Sequence, residues 1–295
     1  MVTNLIIDRL EAGVVPWQMP WKSANGIPCN LISKKGYRGF NFWYLLSFNF
    51  ERPYFLTFNQ VQELNAKIRK GSKSYPVVFW KMLDVTKQDG TTEQIPFLRY
   101  YNVYHVDDVD GIAPEKIPSE KSNDRELNPI GECERLIELW DDSPVIEFGR
   151  GQAAYSPGLD KVYMPSQRDF FTDEGYYAVL FHELVHSTGH KKRLNRHEKF
   201  PDHKFGSQDY SQEELVAEMG AAYLCGICGI ENRVDQSASY IKGWLRRFKD
   251  DNKIVVTAAS YAQKAVDYIM EHQRQPSPVS EIMINEEAVV ASFEF

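Results

Sequence analysis

The stretch His182-Glu183-Leu184-Val185-His186 decides how this sequence of 295 residues is interpreted. It follows an apolar run at 176–181, and Thr172 and Gly189 are placed as the start and end signals of a helix. His182 and His186 would lie one turn apart on one face, where two imidazoles can hold a metal ion. Glu183 would then act as the base that takes a proton from water, so the motif predicts metal-dependent hydrolysis of a peptide or similar acyl bond. The alternative is a surface helix with two ordinary histidines.

A second predicted helix, residues 211–224, supplies acidic residues for the same ion. Glu214 and Glu218 are four residues apart and share a helix face. One can complete a His₂Glu ligand set with an open fourth position, and the other can hold a ligand histidine through its second ring nitrogen. Glu214 has a competing role, because Ser211 and Glu214 have the spacing of a capping box. We take Glu214 as the ligand and Glu218 as the residue behind a histidine, with the reverse assignment open.

These segments, together with the first half of the chain, resemble a known family. H-E-L-V-H-S-T-G-H followed by K-K-R-L-N-R at 182–196, then E-E-L-V-A-E-M-G-A-A-Y-L at 213–224, look like the zincin domain of ArdC-type antirestriction proteins. The first half is similar to the N-terminal single-stranded-DNA-binding domain of that family, in the stretches 16–21, 36–41, 55–60, 68–73 and 77–80. In such zincins the first glutamate of E-x-x-x-E is the usual ligand, which the resemblance assigns to Glu214.

The resemblance implies a function in two parts. It implies a protein that binds single-stranded DNA and protects incoming plasmid or mobile-element DNA from host restriction. It also implies a metallopeptidase domain of the gluzincin kind that takes Zn²⁺, with Mn²⁺ as the alternative ion. Two other functions stay open. The chain can be a DNA-tethered metalloprotease that acts on DNA-bound proteins, its protein substrate being unknown, or a DNA-binding protein whose metal site is catalytically silent.

Charge and aromatic residues are concentrated unevenly along the chain. The net charge is −7, yet residues 1–105 contain 13 Lys and Arg against 7 Asp and Glu, which favours contact with a polyanion. The same region contains 19 of the 39 aromatic residues, and exposed rings can stack on unpaired bases. The predicted DNA contacts are Trp17, Trp21, Lys34, Lys35, Tyr37, Arg38, Asn41, Lys67, Arg69, Lys70, Lys73 and Trp80. No pattern codes for base-specific readout, so we expect little sequence preference. The alternative is an aromatic core with a solvated basic face.

The order of segments predicts an α+β fold in two domains. Residues 1–110 are the predicted DNA-binding domain, 111–128 a polar linker broken by prolines, and 129–295 the zincin-like metallopeptidase domain. Within them we predict strands at 75–80 and 99–104, a hairpin at 153–164, and helices at 132–140, 239–250 and 257–272.

Composition limits the remaining classes of protein. No apolar run approaches the roughly 20 residues of a membrane span, and the N-terminus lacks a signal-peptide pattern. We therefore expect a cytoplasmic protein without a membrane partner. Cys225 and Cys228 form a single C-x-x-C, which excludes a zinc ribbon, and we interpret them as buried helical thiols. A redox or metal role for this pair is the alternative.

Overall fold

The computed structural model describes residues 2–18, 27–86, 92–118, 128–149, 151–199, 208–230, 238–251 and 253–274. Within these residues the chain has the predicted α+β architecture in two domains.

The first domain is built from short helices and strands around a long hairpin. Its elements are α1 (Val2–Glu11), β1 (Cys29–Asn30), α2 (Phe40–Leu46), β2 (Tyr54–Thr57), α3 (Phe58–Glu63), β3 (Lys67–Ile68), β4 (Tyr75–Thr86), β5 (Thr92–His105) and β6 (Val109–Asp110). The main sheet has the order β1-β2-β5-β4, and β3 pairs with β6. The predicted strands at 75–80 and 99–104 are confirmed within β4 and β5. Both strands are longer than predicted, because backbone pairing continues past Trp80, where the apolar alternation weakens.

Local signals explain where two of these helices begin. The Thr57 side chain accepts a hydrogen bond from the Gln60 N–H, and the Gln60 side chain accepts one from the Thr57 N–H. This capping box starts α3 directly after β2. Gly39 precedes α2 with a φ of 55°, a left-handed conformation that glycine adopts at little steric cost. The basic loop at 34–38 therefore ends in a tight turn at the start of α2.

The second domain places the predicted metal motif beside a small sheet. Its elements are α4 (Pro129–Leu139), β7 (Val145–Phe148), β8 (Ala154–Ser156), β9 (Lys161–Met164), α5 (Asp173–Ser187), α6 (Gln208–Cys228), α7 (Ala238–Asp250) and α8 (Ile254–Glu271). The sheet order is β7-β9-β8, and the antiparallel pairing of β8 with β9 confirms the predicted hairpin. The α5 helix begins where predicted, because the Thr172 side chain accepts a hydrogen bond from the Gly175 N–H.

One hydrophobic core extends through both domains. Trp17 contacts Trp244 and Phe248 of α7 edge to face, with ring centroids 6.5 and 6.3 Å apart. Phe42 of α2 stacks on Tyr223 of α6 with centroids 4.3 Å apart. The two domains therefore bury apolar surface against each other, which stabilises them as a pair.

A second, smaller core lies on the other face of the main sheet. Phe55 and Leu56 are consecutive in β2 and point to opposite faces, so Phe55 joins the shared core and Leu56 the smaller one. Ile112 and Ile117, which fall in the predicted linker, lie against the smaller core. The beginning of that linker is therefore in contact with the first domain, and residues 119–127 lie outside the described residues.

The cysteines are free and mostly buried, as the sequence predicted for the C-x-x-C pair. Cys225 and Cys228 lie in the last turns of α6, and burial raises the pKa of the Cys225 thiol. A raised pKa disfavours the nucleophilic thiolate that redox chemistry requires. Among the described residues, no helix is both long and apolar enough to cross a membrane.

The expectation that Trp17 is an exposed, DNA-stacking ring is wrong, because its side chain is only 1% exposed. The helix α1 ends at Glu11, and Pro16 begins a short 3₁₀ turn at Pro16–Gln18. That turn contacts α6 and directs the indole ring against α7. An irregular segment can thus be part of a core when its apolar ring fills a gap between helices.

Trp17→Ala should lower the free energy of unfolding by about 3–5 kcal/mol, because it leaves a cavity where the two domains meet. Urea denaturation followed by circular dichroism measures this change. Phe171→Ala is the matched control, because the Phe171 ring is fully exposed and its loss should have little effect. An unchanged unfolding midpoint in Trp17→Ala, together with weakened DNA binding, would contradict the core assignment.

Candidate metal centre and nucleic-acid groove

The helices α5 and α6 lie side by side, and their close approach brings histidines and glutamates together. A Cβ atom at Gly220 of α6 would lie 2.7 Å from two methyl carbons of Val185 in α5. That distance is shorter than carbon atoms tolerate in a packed interior, so a side chain at position 220 would push the helices apart. Gly220 therefore sets the distance between the histidines of α5 and the glutamates of α6.

His182, His186 and Glu214 converge on one point, and among the described residues they form a group with metal-binding geometry. The Nε2 atoms of His182 and His186 are 3.1 Å apart. Glu214 Oε2 lies 3.5 Å from His182 Nε2, and Glu214 Oε1 lies 3.6 Å from His186 Nε2. Ligand atoms at about 2.0–2.1 Å from a tetrahedral ion are separated by about 3.4 Å. The donor set therefore fits a divalent ion, and all three side chains are partly open to solvent.

The carboxylate of Glu183 is held beside this group by the edge of the small sheet. Glu183 Oε2 accepts a hydrogen bond of 2.7 Å from the backbone N–H of Tyr155 in β8. Glu183 is itself buried, so this bond both satisfies one carboxylate oxygen and orients the group. The role of base that the sequence predicted for Glu183 is compatible with this position.

A network of hydrogen bonds ties the hairpin β8–β9 to the end of α5. Asp160, between the two strands, accepts hydrogen bonds from Arg193 Nη1 at 2.8 Å and from the Tyr155 hydroxyl at 2.9 Å. Arg193 also donates to the Ser187 carbonyl at 2.9 Å. Burial raises the pKa of Asp160, but the hydrogen bonds from Arg193 and Tyr155 outweigh burial and hold it below its ordinary value. The network therefore fixes Tyr155 and its N–H relative to Glu183.

The field around His182 is strongly negative. Burial lowers the pKa of His182, but the hydrogen bond to Glu214 and the charges of Glu183, Glu214 and Glu218 outweigh burial and raise it to about 9. Carboxylates that attract a proton at this position also attract a cation. Metal binding would therefore compete with protonation of this imidazole.

Glu213, which the sequence analysis did not select, holds His186 from behind. His186 Nδ1 is 3.2 Å from Glu213 Oε1, and Arg196 donates to both Glu213 oxygens at 2.7 and 2.8 Å. Arg196 and Glu213 are both buried, and Arg196 also donates to the Val185 carbonyl and the Thr188 hydroxyl. Burial raises the pKa of Glu213, but the charge of Arg196 outweighs burial and holds it well below its ordinary value. In the sequence, the adjacent glutamates at 213–214 could have indicated a second acidic residue near the histidines. They could not have identified Arg196 as the partner of Glu213.

The two other predictions for α6 have different outcomes. Glu218 lies close enough to His182 to raise its pKa, and its assignment behind a ligand histidine stays a prediction. The capping box proposed for Ser211 and Glu214 is wrong, because α6 begins at Gln208 and Ser211 lies inside the helix. The Glu214 side chain therefore does not cap the start of α6, and its carboxylate lies close to the histidines.

The predicted DNA contacts fall into separate groups. Lys35, Tyr37, Arg38 and Asn41 line a groove between the first domain and α8. Arg38 forms an ion pair with Asp267 of α8. The Lys34 ammonium lies 5.6 Å from the centroid of the Tyr54 ring.

Asn41 has a structural contact of its own. Its amide donates to the Val78 carbonyl at 2.7 Å and accepts from the Val78 N–H at 2.9 Å, which satisfies the outer edge of β4.

The second group surrounds the turn at Gly71 and is not part of the groove lining. It consists of Lys67, Arg69, Lys70 and Lys73. Each of them is exposed, and Arg69 pairs with Asp110 of β6 at 3.3 Å. Trp21 lies outside the described residues, as does the side chain of Trp80 in β4. These positions therefore stay predictions.

Comparison with known proteins assigns both halves of the chain. Residues 1–104 match a family model described as the N-terminal domain of anti-restriction factor ArdC, and residues 134–261 match one described as a zincin-like metallopeptidase. The metal-free crystal structure of antirestriction protein ArdC from plasmid R388 is 34% identical, with a TM-score of 0.71 over 92% of this chain and 96% of that chain. The chain belongs to the ArdC antirestriction family.

Other relatives of this ArdC family member extend the comparison. The Mn(II)-bound structure of the R388 ArdC protein is 33% identical, with a TM-score of 0.73 over 94% of this chain and 98% of that chain. The uncharacterized protein y4eC of Sinorhizobium fredii is 36% identical over 92% of this chain and 91% of its own length. Two DNA primases TraC of Escherichia coli are 28% identical over 93% of this chain, which spans only 20% and 27% of their lengths.

His182→Ala and His186→Ala should each abolish the binding of about one divalent ion per chain, because each removes one of the three side chains that could hold the ion. Equilibrium dialysis followed by elemental mass spectrometry measures the bound metal. His272→Ala is the matched control, because this histidine is exposed and its side chain lies against Tyr268 at the end of α8. Full metal occupancy in the double variant of His182 and His186 would show that the ion binds elsewhere.

Glu213→Gln should weaken metal affinity by about 10–100-fold, the range seen when the partner of a ligand histidine is lost. It should also reduce stability, because the buried Arg196 guanidinium loses its counter-charge. Competition against a fluorescent chelator measures affinity, and urea unfolding measures stability. Glu218→Gln is the comparison and should have the smaller effect on both. A larger effect of Glu218→Gln than of Glu213→Gln on metal affinity would instead assign to Glu218 the role of orienting the histidine.

Proposed function

We propose that this chain is an antirestriction protein that binds single-stranded DNA through its first domain and carries a divalent-metal peptidase centre in its second. The observation that carries the proposal is the convergence of His182, His186 and Glu214 beside Glu183 in a member of the ArdC family. Such a role places the protein in the cytoplasm, where restriction enzymes meet incoming DNA.

The three converging side chains are the proposed metal ligands. Glu214 is preferred to Glu218, because its oxygens lie within 3.6 Å of both histidine nitrogens. The ion is Zn²⁺ or Mn²⁺, and the Mn(II)-bound R388 relative supports the second choice. When bound, such an ion supplies Lewis acidity, which brings the pKa of water to about 7.

The protein side chains supply orientation and proton transfer. Glu183 accepts a proton from the attacking water and returns it to the leaving amine, while the Tyr155 N–H fixes one carboxylate oxygen. Arg196 and Glu213 hold the His186 ring, so that its Nε2 keeps its direction. The strand β8, at the edge of its sheet, would align an extended peptide with the centre.

The DNA-binding part of the proposal is supported by charge and by relatives. The first 105 residues are basic within a chain of net charge −7, and the matched TraC relatives are DNA primases, enzymes that act on DNA. Contacts through phosphates and ring faces carry little sequence information, so binding should show little sequence preference. The protein substrate of the peptidase centre is then a protein that meets this DNA.

Glu183→Gln tests the peptidase part. This variant keeps a hydrogen-bond acceptor for the Tyr155 N–H but lacks the base, so the hydrolysis rate should fall by about 10²–10⁴-fold with metal content unchanged. Turnover of a fluorogenic casein substrate and the metal content of the same sample are measured together. A variant that has lost its metal would show that Glu183 has a role other than the assigned one, and a variant with full activity would exclude its role as base.

The same variant separates peptidase activity from protection. Conjugative transfer into restricting and non-restricting recipients gives the protection factor for the wild type and for Glu183→Gln. Collapse of protection in the variant would make hydrolysis part of antirestriction. Unchanged protection would assign antirestriction to DNA binding alone, with the peptidase centre serving another purpose.

A further inference from the structure

A groove of about 1050 Å³ lies between the loop before α2, the β4–β5 hairpin and α8. Its walls come from both domains, because α8 belongs to the metallopeptidase domain. Aromatic rings and lysines both line the groove, and the ones used below are Lys35, Tyr37, Phe79, Tyr101, Tyr261 and Lys264.

The aromatic wall continues from the core face of the hairpin. Val77 and Tyr101 are paired in register, and Phe79 is two residues beyond Val77, so all three point to one face of the sheet. Val77 is completely buried, whereas Phe79 is 41% exposed and Tyr101 39% exposed. This face of the sheet is therefore buried at Val77 and partly exposed two residues later. The rings of Phe79 and Tyr101 are open to the groove. Neighbouring exposed rings that line one groove form a contiguous apolar patch, which is the kind of surface that ligands cover.

The opposite wall is α8, which is bonded to residues 38 and 39 at the end of the basic loop. Arg38 pairs with Asp267, and the Gly39 N–H donates to the Gln263 side chain at 3.2 Å. The Asp267 carboxylate is thus matched by Arg38, which leaves Lys35 and Lys264 as exposed cations of the lining.

The α8 wall also pairs a cation with a ring. The Lys264 ammonium lies 5.6 Å from the centroid of the Tyr261 ring, so charge and ring face occur together on the metallopeptidase side.

We propose that this groove holds a short run of single-stranded DNA, and that Tyr261 and Lys264 of the metallopeptidase domain are part of the DNA site. The inference rests on the proposed function and adds α8 to it. Ring faces on both walls suit unpaired bases, because in a duplex each base face is already covered by its neighbours. The net positive lining suits the phosphates that run between those bases.

The consequence is a DNA strand in contact with both domains. The α8 helix packs directly on α6, which carries Glu214 of the metal centre. Bound DNA would then lie against the domain that hydrolyses protein, and a protein bound to the same strand would be brought near the peptidase centre.

The test uses the full chain and fluorescence anisotropy with a fluorescein-labelled oligothymidylate. Tyr261→Ala should raise Kd by about 5–150-fold, the effect of losing one stacked base. Tyr261→Phe, which keeps the ring, should bind like the wild type, and Tyr261→Leu, which keeps apolar volume without a ring, should bind like Tyr261→Ala. Lys264→Ala should reduce the log–log salt slope by about 0.7, the value for one phosphate contact. Lys249→Ala, which removes an exposed lysine of α7 outside the groove, should leave the slope unchanged.

The outcomes separate this inference from the proposed function. If the wild type binds the oligonucleotide and the Tyr261 and Lys264 variants bind equally well, α8 is not part of the DNA site, while the proposed function stands. If the wild type shows no salt-dependent binding, the DNA part of the proposed function fails as well. Ultraviolet crosslinking of an iododeoxyuridine oligonucleotide should label the peptide that contains Tyr261, and labels confined to the first domain would overturn the inference. Equal affinity for duplex and single strand would overturn it too.

Discussion

The close contact between α5 and α6 at Val185 and Gly220 is the constraint on which the candidate metal centre depends. The histidines and the glutamates are on different helices, so their convergence is only as precise as the distance between the helix axes. Gly220 allows that distance to be short. Behind the contact, Arg196 and Glu213 are buried as a charged pair, which is an expensive arrangement in a low dielectric.

The buried pair is better explained by orientation than by stability. Removing two charges from water costs free energy that their attraction only partly returns, and apolar residues of similar size often stabilise as well. Arg196, however, also bonds the Val185 carbonyl and the Thr188 hydroxyl at the end of α5, while Glu213 bonds His186. The pair therefore ties the second turn of α6 to the last turn of α5, where His186, a proposed metal ligand, is located.

The two domains are packed against each other through aromatic rings. Rings of the first domain fill gaps among the helices of the second, as Trp17 does beside Trp244 and Phe42 beside Tyr223. The basic loop before α2 is clamped to α8 through Arg38 and Gly39. The proposed DNA-binding surface therefore need not end at the domain boundary, because residues of both domains line the groove.

Much of this architecture was predictable from local pattern. The helix of His182, Glu183 and His186, the hairpin at 153–164 and the strands of the long hairpin follow from periodicity and from cap residues such as Thr172. These features depend on residues within a few positions of one another, and over that range the sequence pattern predicts local secondary structure. Glu214 was expected near the histidines because the sequence resembles a zincin, in which the first glutamate of E-x-x-x-E is the usual ligand, and its distances from both imidazoles are compatible with that role.

The tertiary structure decided the rest. The sequence alone identified a glutamate-rich helix, but only packing shows that Glu213 points inward to Arg196 and His186 while Glu214 faces the open side. Trp17 was expected to contact DNA, but whether its ring meets solvent or core depends on α7, more than 220 residues away in the chain. The contribution of Tyr261 to the groove has no local signal. In each case the deciding contact joins segments far apart in sequence, and local periodicity carries no information about which face of one element another will cover.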